Sequence, residues 1–557
     1  MSAERDEVGI VLSGSTTREV ACQLFYEAEK GGIHEGMLLL VEASPKKRKV
    51  LARVGEIIPY NDFYIEGDPW SEARRKKLPV PEDVARQYEI CKLDLLIEIP
   101  GAQEITVPPH PGDYVCRIDP TRHQKDIFNF VYGDEGIIWY GTQAGYERVR
   151  VPVALNVERI PMHIGVFGVT GSGKSYDMGA LIEKLVDIPL RLDRKLSFPL
   201  LIIDAHGDYA EYAEYQEQLG AATSIVRYVF PDARSLLADK TKGKIQPIGI
   251  SLDNLCERNT RDLAEMIVQY YRGGAGELSE LQIHGIERNL QDLKDGGWQL
   301  NSLFTNSFDV LEDAINHAPT EEIDYRSKPA IIRALRKFRD DVEGKKLLSQ
   351  KSPLKEKRTV DELTRFGSIA IVDFSAEAAP GVDLPMKQLV MTYLATLLFD
   401  EFTQYRINNQ DRYLLFVIEE AQNFCPDPTY PIATSLAKTK LSAIATQGRK
   451  FGLSLCLISQ RPSFVDRIVL SMCNTFFIHR ISPEDVSFVR SVTGGLPPTL
   501  LPRLTKLTQG EMIVTGQMAT VPFPLVISVP EEERKVAHRA GKTEVVKNLA
   551  KARGLPV

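Results

Sequence analysis

The sequence lacks the long apolar runs that a membrane segment needs. Its apolar stretches, such as Leu414–Ile418, fall far short of the ~18 consecutive residues of a spanning helix. The N-terminus MSAERDEVGI carries acids where a signal peptide has an apolar core, so a cytoplasmic protein with no membrane partner is expected. Paired cysteines are missing as well. Cys22, Cys91, Cys116, Cys256, Cys425, Cys456 and Cys473 stand far apart, with no CxxC pair and no zinc-ligand spacing, which predicts buried free thiols. Nor is there an excess of positive charge. A formal net charge of −7 excludes a coat of basic surface, but it does not exclude nucleic acid, because a ring can carry positive charge along its channel and stay acidic outside. Internal repeats and low-complexity tracts are absent, and 43% apolar with 26% charged residues is an ordinary globular composition. At 557 residues the chain exceeds the ~250–300 at which a single core stops growing, so two or three domains are expected.

What is present divides the chain by texture. Over 1–120, the runs 8–12, 19–26, 37–42 and 50–58 are apolar or alternating and are broken by SGS, EKGGIHEG and SPKKRK. Strands this short and closely spaced predict a small antiparallel barrel or sandwich. The Pro/Gly-bearing stretches IEGDPW and VPPHPGD punctuate the region, and a connecting segment is expected over 121–157. From His163, buried strands alternate with amphipathic helices. HIGVFG runs into a glycine loop ahead of a helix over 175–185, and PLLIID is a second continuous apolar run, the pattern of an α/β fold with a parallel sheet covered on both faces. This core is expected over 158–235 and 366–530, with later strands at 368–374, 413–418, 453–459 and 474–479. Between its two parts, 236–365 turns to charged, Leu/Ile-spaced sequence with helices expected at 259–271, 277–293 and 329–342, a helical insertion. The polar stretch 531–557 is too poor in apolar residues for a core and is expected as a solvated or partner-bound tail.

One motif carries the chemistry. Gly168, Val169, Thr170, Gly171, Ser172, Gly173, Lys174 and Ser175 meet the P-loop pattern at every fixed position, between an expected strand and an expected helix. Glycines let the backbone wrap phosphates, so that its N–H groups and the helix N-terminus meet the negative charge. Lys174 is expected at the β- and γ-phosphates of ATP, and the Ser175 hydroxyl at Mg²⁺. A P-loop enzyme also needs a carboxylate on a neighbouring strand for the metal and a group that orients the attacking water. The apolar run 413–418 ends in Glu419 and Glu420, which would supply both, Glu419 in the Mg²⁺ shell and Glu420 beside the water. Asp204 and Asp373 also end apolar runs and are rivals for the metal, ranked lower because neither is followed by a second acid. Gln460, ending LSLCLISQ, is placed to sense the γ-phosphate through its amide. Arg449 in QGRKFG and Arg480 in FFIHRI are candidates for an arginine finger. Lys438, Lys440 and Lys450 are candidates for nucleic-acid phosphates and are explained equally well as a solvated helix face.

Taken together, GVTGSGKS, LLIIDAHGDYAEY, LLFVIEEAQNFCP, GRKFGLSLCLISQRPS and NTFFIHRI resemble the HerA family of the FtsK/HerA motor superfamily, over most of the chain. The resemblance implies an N-terminal β-barrel of the kind seen in ATP-synthase subunits, a RecA-like core with a helical insertion, and a C-terminal extension. It implies a homohexameric ring, ATP-dependent translocation or helicase action on double-stranded DNA, and a partner nuclease of the NurA type in DNA end processing or defence. Residue by residue, it assigns Lys174 and Ser175 to nucleotide and metal, Glu419 and Glu420 to the paired acids, Gln460 to the sensor and Arg449 to an inter-subunit contact. Two positions depart from the family pattern. Glu419 stands where many P-loop motors have Asp, and Met162-His163 stands where family members carry a basic residue, with Arg159 nearby but out of register. A scaffold ATPase that organises a defence effector is the alternative. No compact Asp/Glu/His cluster of the two-metal nuclease kind stands outside these motifs, so DNA cleavage is expected to belong to a partner.

Overall fold

Alternating side chains build the N-terminal region. In β5 (Gln87–Ile99), Leu93, Leu95, Ile97 and Ile99 are buried while the residues between them are more exposed, the period of two that a strand with one inward face requires. β5 joins β1 (Glu7–Val11), β2 (Glu19–Leu24), β3 (Leu38–Ala43), β4 (Arg48–Asn61) and β6 (Tyr114–Arg117) in a closed barrel of order β1-β2-β5-β4-β3-β6. Every pair in it is antiparallel. Val41, Val50, Cys91 and Val115 fill its interior, and closure removes the unpaired edges that an open sheet would expose. The computed structural model describes residues 6–536 apart from 31, 46–47, 80–86, 101–102, 119–135, 145–151, 191–194, 220–222, 239–243, 258, 273–278, 431–434 and 436.

The second body is a 12-stranded sheet of order β14-β13-β15-β12-β16-β17-β9-β18-β19-β20-β7-β8. Its strands are β7 (Ile137–Gln143), β8 (Pro152–Asn156), β9 (Ile164–Phe167), β12 (Leu200–Asp204), β13 (Ile225–Val229), β14 (Lys244–Pro247), β15 (Ile369–Asp373), β16 (Leu414–Ile418), β17 (Leu453–Ser459), β18 (Thr475–Ile478), β19 (Glu511–Gly516) and β20 (Leu525–Ser528). A separate ribbon pairs β10 (Ile188–Pro189) with β11 (Lys195–Leu196). From β14 across to β18 all pairs are parallel, and β19, β20, β7 and β8 continue antiparallel. β12, β16 and β17 are buried along their whole length, as continuous apolar strands are when both faces are covered. The helix Leu384–Ile407 is likewise apolar on nearly all sides, and Asp383 caps its start by accepting the Met386 N–H at 3.1 Å.

Two stretches differ from the sequence expectation. β7 and β8, inside the expected connecting segment, and β14, inside the expected helical stretch 236–365, are strands of the large sheet. β14 is only KIQP, at the sheet edge and half-exposed, so it shows no apolar run, and β7 and β8 find their partners only through non-local pairing. Residues 121–135 and 145–151 of the connecting segment, 277–278 of an expected helix, and 537–557 of the tail lie outside the described residues. Between β14 and β15 the longer elements are the helices Arg261–Arg272, Glu280–Asp295, Phe308–His317, Lys328–Gly344 and Lys357–Phe366, packed around Ile286, Phe304, Leu335 and Phe338. All seven cysteines are buried free thiols. No helix among the described residues is long and apolar enough to cross a membrane.

Barrel and sheet touch through specific polar groups. Arg53 of β4 is 2% exposed; it donates to the Pro524 carbonyl at 2.8 Å and pairs with Asp94 at 3.3 Å, while the Thr499 hydroxyl bonds the same Asp94. Entry to β9 is locked by His163, also 2% exposed. Its Nδ1 accepts the Leu455 N–H at 2.9 Å, so the ring proton sits on Nε2 and is donated to the Ala445 carbonyl at 2.9 Å. Burial pulls the imidazole down from 6.5 to about 4, against the pull of the Ala445 bond and with help from the Arg449 charge. The folded state thus holds the neutral ring, and the stability it contributes is complete above pH 6.5 and lost as the pH falls towards 4. Urea unfolding at pH 7.5 and pH 5 is expected to show about 2 kcal/mol of loss from this residue. A His163→Gln variant with the same pH dependence as the parent would remove His163 from the account.

Candidate nucleotide site

Parallel strands put their carboxyl ends on one edge, and the loops after β9, β12, β16, β17 and β18 meet there, where α/β sheets bind ligands. The loop after β9 turns on glycines. Gly171 and Gly173 have φ of +74° and +110°, a region closed to most side chains. At Gly168 a Cβ would stand 2.6 Å from Ser172 Oγ and 2.7 Å from His479 Cβ. Gly173 caps the helix Lys174–Leu185, so the unpaired N–H groups of its first turn open on the loop. Bonds from neighbouring segments fix the loop: Val169 N–H donates to the Arg480 carbonyl at 2.8 Å, and Gly510 N–H to that of Ser172 at 3.1 Å. Lys174 folds along it, its Nζ donating to the Gly168 and Val169 carbonyls at 2.6 and 3.1 Å. Burial lowers the Lys174 pKa, opposed by Glu420, Glu419 and Asp208. The Ser172 hydroxyl is buried without a partner. A backbone cradle turned on glycines, a lysine and an unsatisfied hydroxyl together fit a polyphosphate.

Glu419 and Glu420 leave β16 in different environments. Glu420 has φ +50°, a conformation costing a non-glycine residue about 1–3 kcal/mol, and it aims the carboxylate into a set of donors. His206 Nε2 lies 3.3 Å from its Oε1, Gln460 Nε2 donates to the same oxygen at 2.6 Å, and Gln422 Nε2 donates to the other. Burial raises the Glu420 pKa, but the bonds from His206, Gln422 and Gln460 outweigh it and hold the group below its ordinary value. Gln460 in turn accepts the Thr170 hydroxyl through Oε1, and Gln422 accepts that of Ser459 at 2.8 Å. One side chain, Gln460, therefore ties the glycine loop to the acid. Glu419 is buried and accepts the Ala205 N–H at 2.9 Å. Burial first, then the charges of Asp204 and Asp208, drive its pKa well above the usual carboxylate range, an environment that a bound cation would relieve. Among the described residues no group of three or more His, Cys, Asp or Glu side chains could hold a metal ion.

The rival acids are engaged in the fold. Asp204 accepts the N–H groups of Gly207 (2.7 Å), Asp208 (3.0 Å) and Tyr209 (2.8 Å) and so shapes the loop after β12, while burial and then Asp373 push it to about 7. Asp373, with no exposed surface, is paired with Arg227 at 2.7 Å and accepts the Ser375 N–H at 2.8 Å. Removing Arg227 strands that charge in the core, and Arg227→Ala is expected to cost about 3–5 kcal/mol in denaturant unfolding. A cost near zero would mean that the Arg227–Asp373 pair does not hold the fold together.

Residues 140–398 match the family described as helicase HerA, central domain. Over these residues the chain is similar to the HerA helicase central domain. A probable helicase of Methanocaldococcus jannaschii is 25% identical over 460 residues, covering 79% of this chain and 76% of that protein. The DNA double-strand break repair helicase HerA of Sulfurisphaera tokodaii is 24% identical over 455 residues, covering 80% and 78%. VirB4 of Thermoanaerobacter pseudethanolicus, a solved structure, aligns over 72% of this chain and 100% of its own at 13% identity and a TM-score of 0.48, too loose a likeness to argue from. This similarity goes with the class of an ATP-dependent P-loop enzyme.

Of the remaining candidates, Arg480 borders the loop and Arg449 does not. Arg449 lies exposed just before β17, and the seven residues of that strand at ~3.3 Å each put about 20 Å between it and the edge where its own P-loop lies. Lys438 and Lys440 are ion-paired within the chain, to Asp466 and Asp262 at 2.8 Å each, whereas Lys450 is exposed. Sequence reasoning missed His206 and Gln422. Both lie two residues from a flagged acid, in DAHGD and EEAQ, but nothing in a polar loop's spacing tells which side chain turns inward.

Proposed function

We propose that the chain is an ATP-driven translocase or helicase on double-stranded DNA, working as a homohexameric ring with a partner nuclease of the NurA type or another defence effector. The observation that carries this reading is the link Thr170–Gln460–Glu420, which joins the phosphate loop to a carboxylate held ionised; mere nucleotide binding needs no such acid. The substrate in this reading is that of similar proteins, the DNA double-strand break repair helicases HerA.

In this mechanism the loop 168–175 and Lys174 neutralise the β- and γ-phosphates of ATP, and Ser175 and Glu419 are the residues that would hold Mg²⁺. Bound there, the ion would supply positive charge against that of the phosphates. Glu420 accepts the proton of the attacking water, and Gln460 registers loss of the γ-phosphate through its bond to Thr170. Arg449, remote from its own loop, serves the loop of the next subunit. The barrel (1–120) and the end of the chain (531–557) are assigned to partner contacts, the parallel sheet to a RecA-like core, and the helices between β14 and β15 to an insertion in it.

Displacement of a third strand from linear duplex DNA tests translocation directly. Displacement with ATP but not with a non-hydrolysable analogue is expected. ATP hydrolysis that proceeds without displacement and ignores duplex DNA would replace the translocase reading with that of a scaffold ATPase for a defence effector.

A further inference from the structure

Directly after the P-loop serine comes Tyr176, half-buried in the first turn of the helix Lys174–Leu185. Helical side chains lean back towards the N-terminus, so this ring leans towards the loop. Against it lies the guanidinium of Arg534, 4.4 Å from the ring centroid, brought from beyond β20. The Arg534 side chain is 3% exposed, and each of its nitrogens is held. Nε donates to Glu183 Oε1 at 3.1 Å, Nη1 to the Tyr176 carbonyl at 2.6 Å, and Nη2 to the Tyr212 hydroxyl at 3.0 Å. Glu183 is buried too and also accepts the N–H groups of Lys535 at 2.6 Å and Val536 at 3.2 Å, which straps the end of the described chain onto the helix. Gly179 leaves room for the assembly, since a Cβ there would stand 2.8 Å from Arg534 Nη2. A buried ion pair with this many fixed bonds is costly to build, and what it fixes is the plane and position of one aromatic ring at the mouth of the phosphate loop.

We infer that Tyr176, backed by Arg534, is the platform on which the base of the nucleotide stacks. With the triphosphate in the loop 168–175, sugar and base leave past the residue that follows Ser175, and that residue is Tyr176. A ring face stacks on any base, because every base has a π-face, and the guanidinium behind it holds the ring in place. Recognition by stacking implies tolerance of guanine as well as adenine. The inference rests on the reading of the loop as a nucleoside triphosphate site.

Calorimetric binding of ATP, GTP and inorganic tripolyphosphate to the full chain separates the two. Tyr176→Ala and Tyr176→Leu are expected to weaken ATP and GTP about tenfold or more and to leave tripolyphosphate unchanged, while Tyr176→Phe binds all three like the parent. Arg534→Lys, which keeps the charge but loses the planar support, is expected to weaken ATP and not tripolyphosphate. ATP affinity unchanged in Tyr176→Ala, or ATP and tripolyphosphate weakened alike, overturns the platform and leaves the phosphate site standing. A parent chain that binds none of the three overturns both.

Discussion

Replacing Glu420 with glutamine is expected to lower ATP turnover by about 10²–10⁴-fold while the protein still binds ATP. The substitution keeps size and shape, so the left-handed backbone at this position is undisturbed. It removes the charge, and with it the group proposed to take the proton of the attacking water. The carboxylate is well prepared for that role, since His206, Gln422 and Gln460 all point nitrogens at it and keep it below its usual pKa despite burial. Glutamine presents one NH₂ to the same donors, so one of those contacts must turn away, and the Gln460 bridge to Thr170 loosens. Steady-state hydrolysis beside equilibrium ATP binding reads both effects. A loss of less than tenfold would take the proton-accepting role from Glu420.

Arg449→Ala carries the second large expectation, a loss of about 10³–10⁵ in turnover. The residue is exposed on the edge of the sheet opposite its own glycine loop, and the role proposed for it is at the γ-phosphate of a neighbouring subunit. Mixing supplies the decisive comparison. Arg449→Ala subunits keep an intact loop, Lys174→Ala subunits keep an intact Arg449, and each alone is inactive. Rings assembled from both contain interfaces with a whole site, so activity should return on mixing. Activity that stays absent in mixed rings of proven composition contradicts a contact in trans.

The phosphate loop was legible because its determinants are local: glycine spacing, a lysine, a serine, and the strand and helix on either side. The barrel was legible for a similar reason, as short alternating runs broken by turn signals leave few other folds. The paired acids followed from an apolar run ending in charge. What could not be read was pairing between distant segments. Four residues of KIQP give no strand pattern until β13 lies beside them, and β7 and β8 join the sheet through β20, nearly 400 residues away in the chain. Asp204 looks like Glu419 in sequence, an acid ending an apolar strand, and only the inward N–H groups of Gly207, Asp208 and Tyr209 show that it shapes a loop. His163, standing where the HerA pattern has a basic residue, turns out to be a neutral buried lock between β9 and β17.

ATP hydrolysis by the purified chain, with and without linear double-stranded DNA and with mass measured by light scattering, tests the central claim most directly. A hexamer whose turnover rises with duplex is the predicted result. Turnover that is absent, or that ignores duplex at every salt concentration, contradicts it.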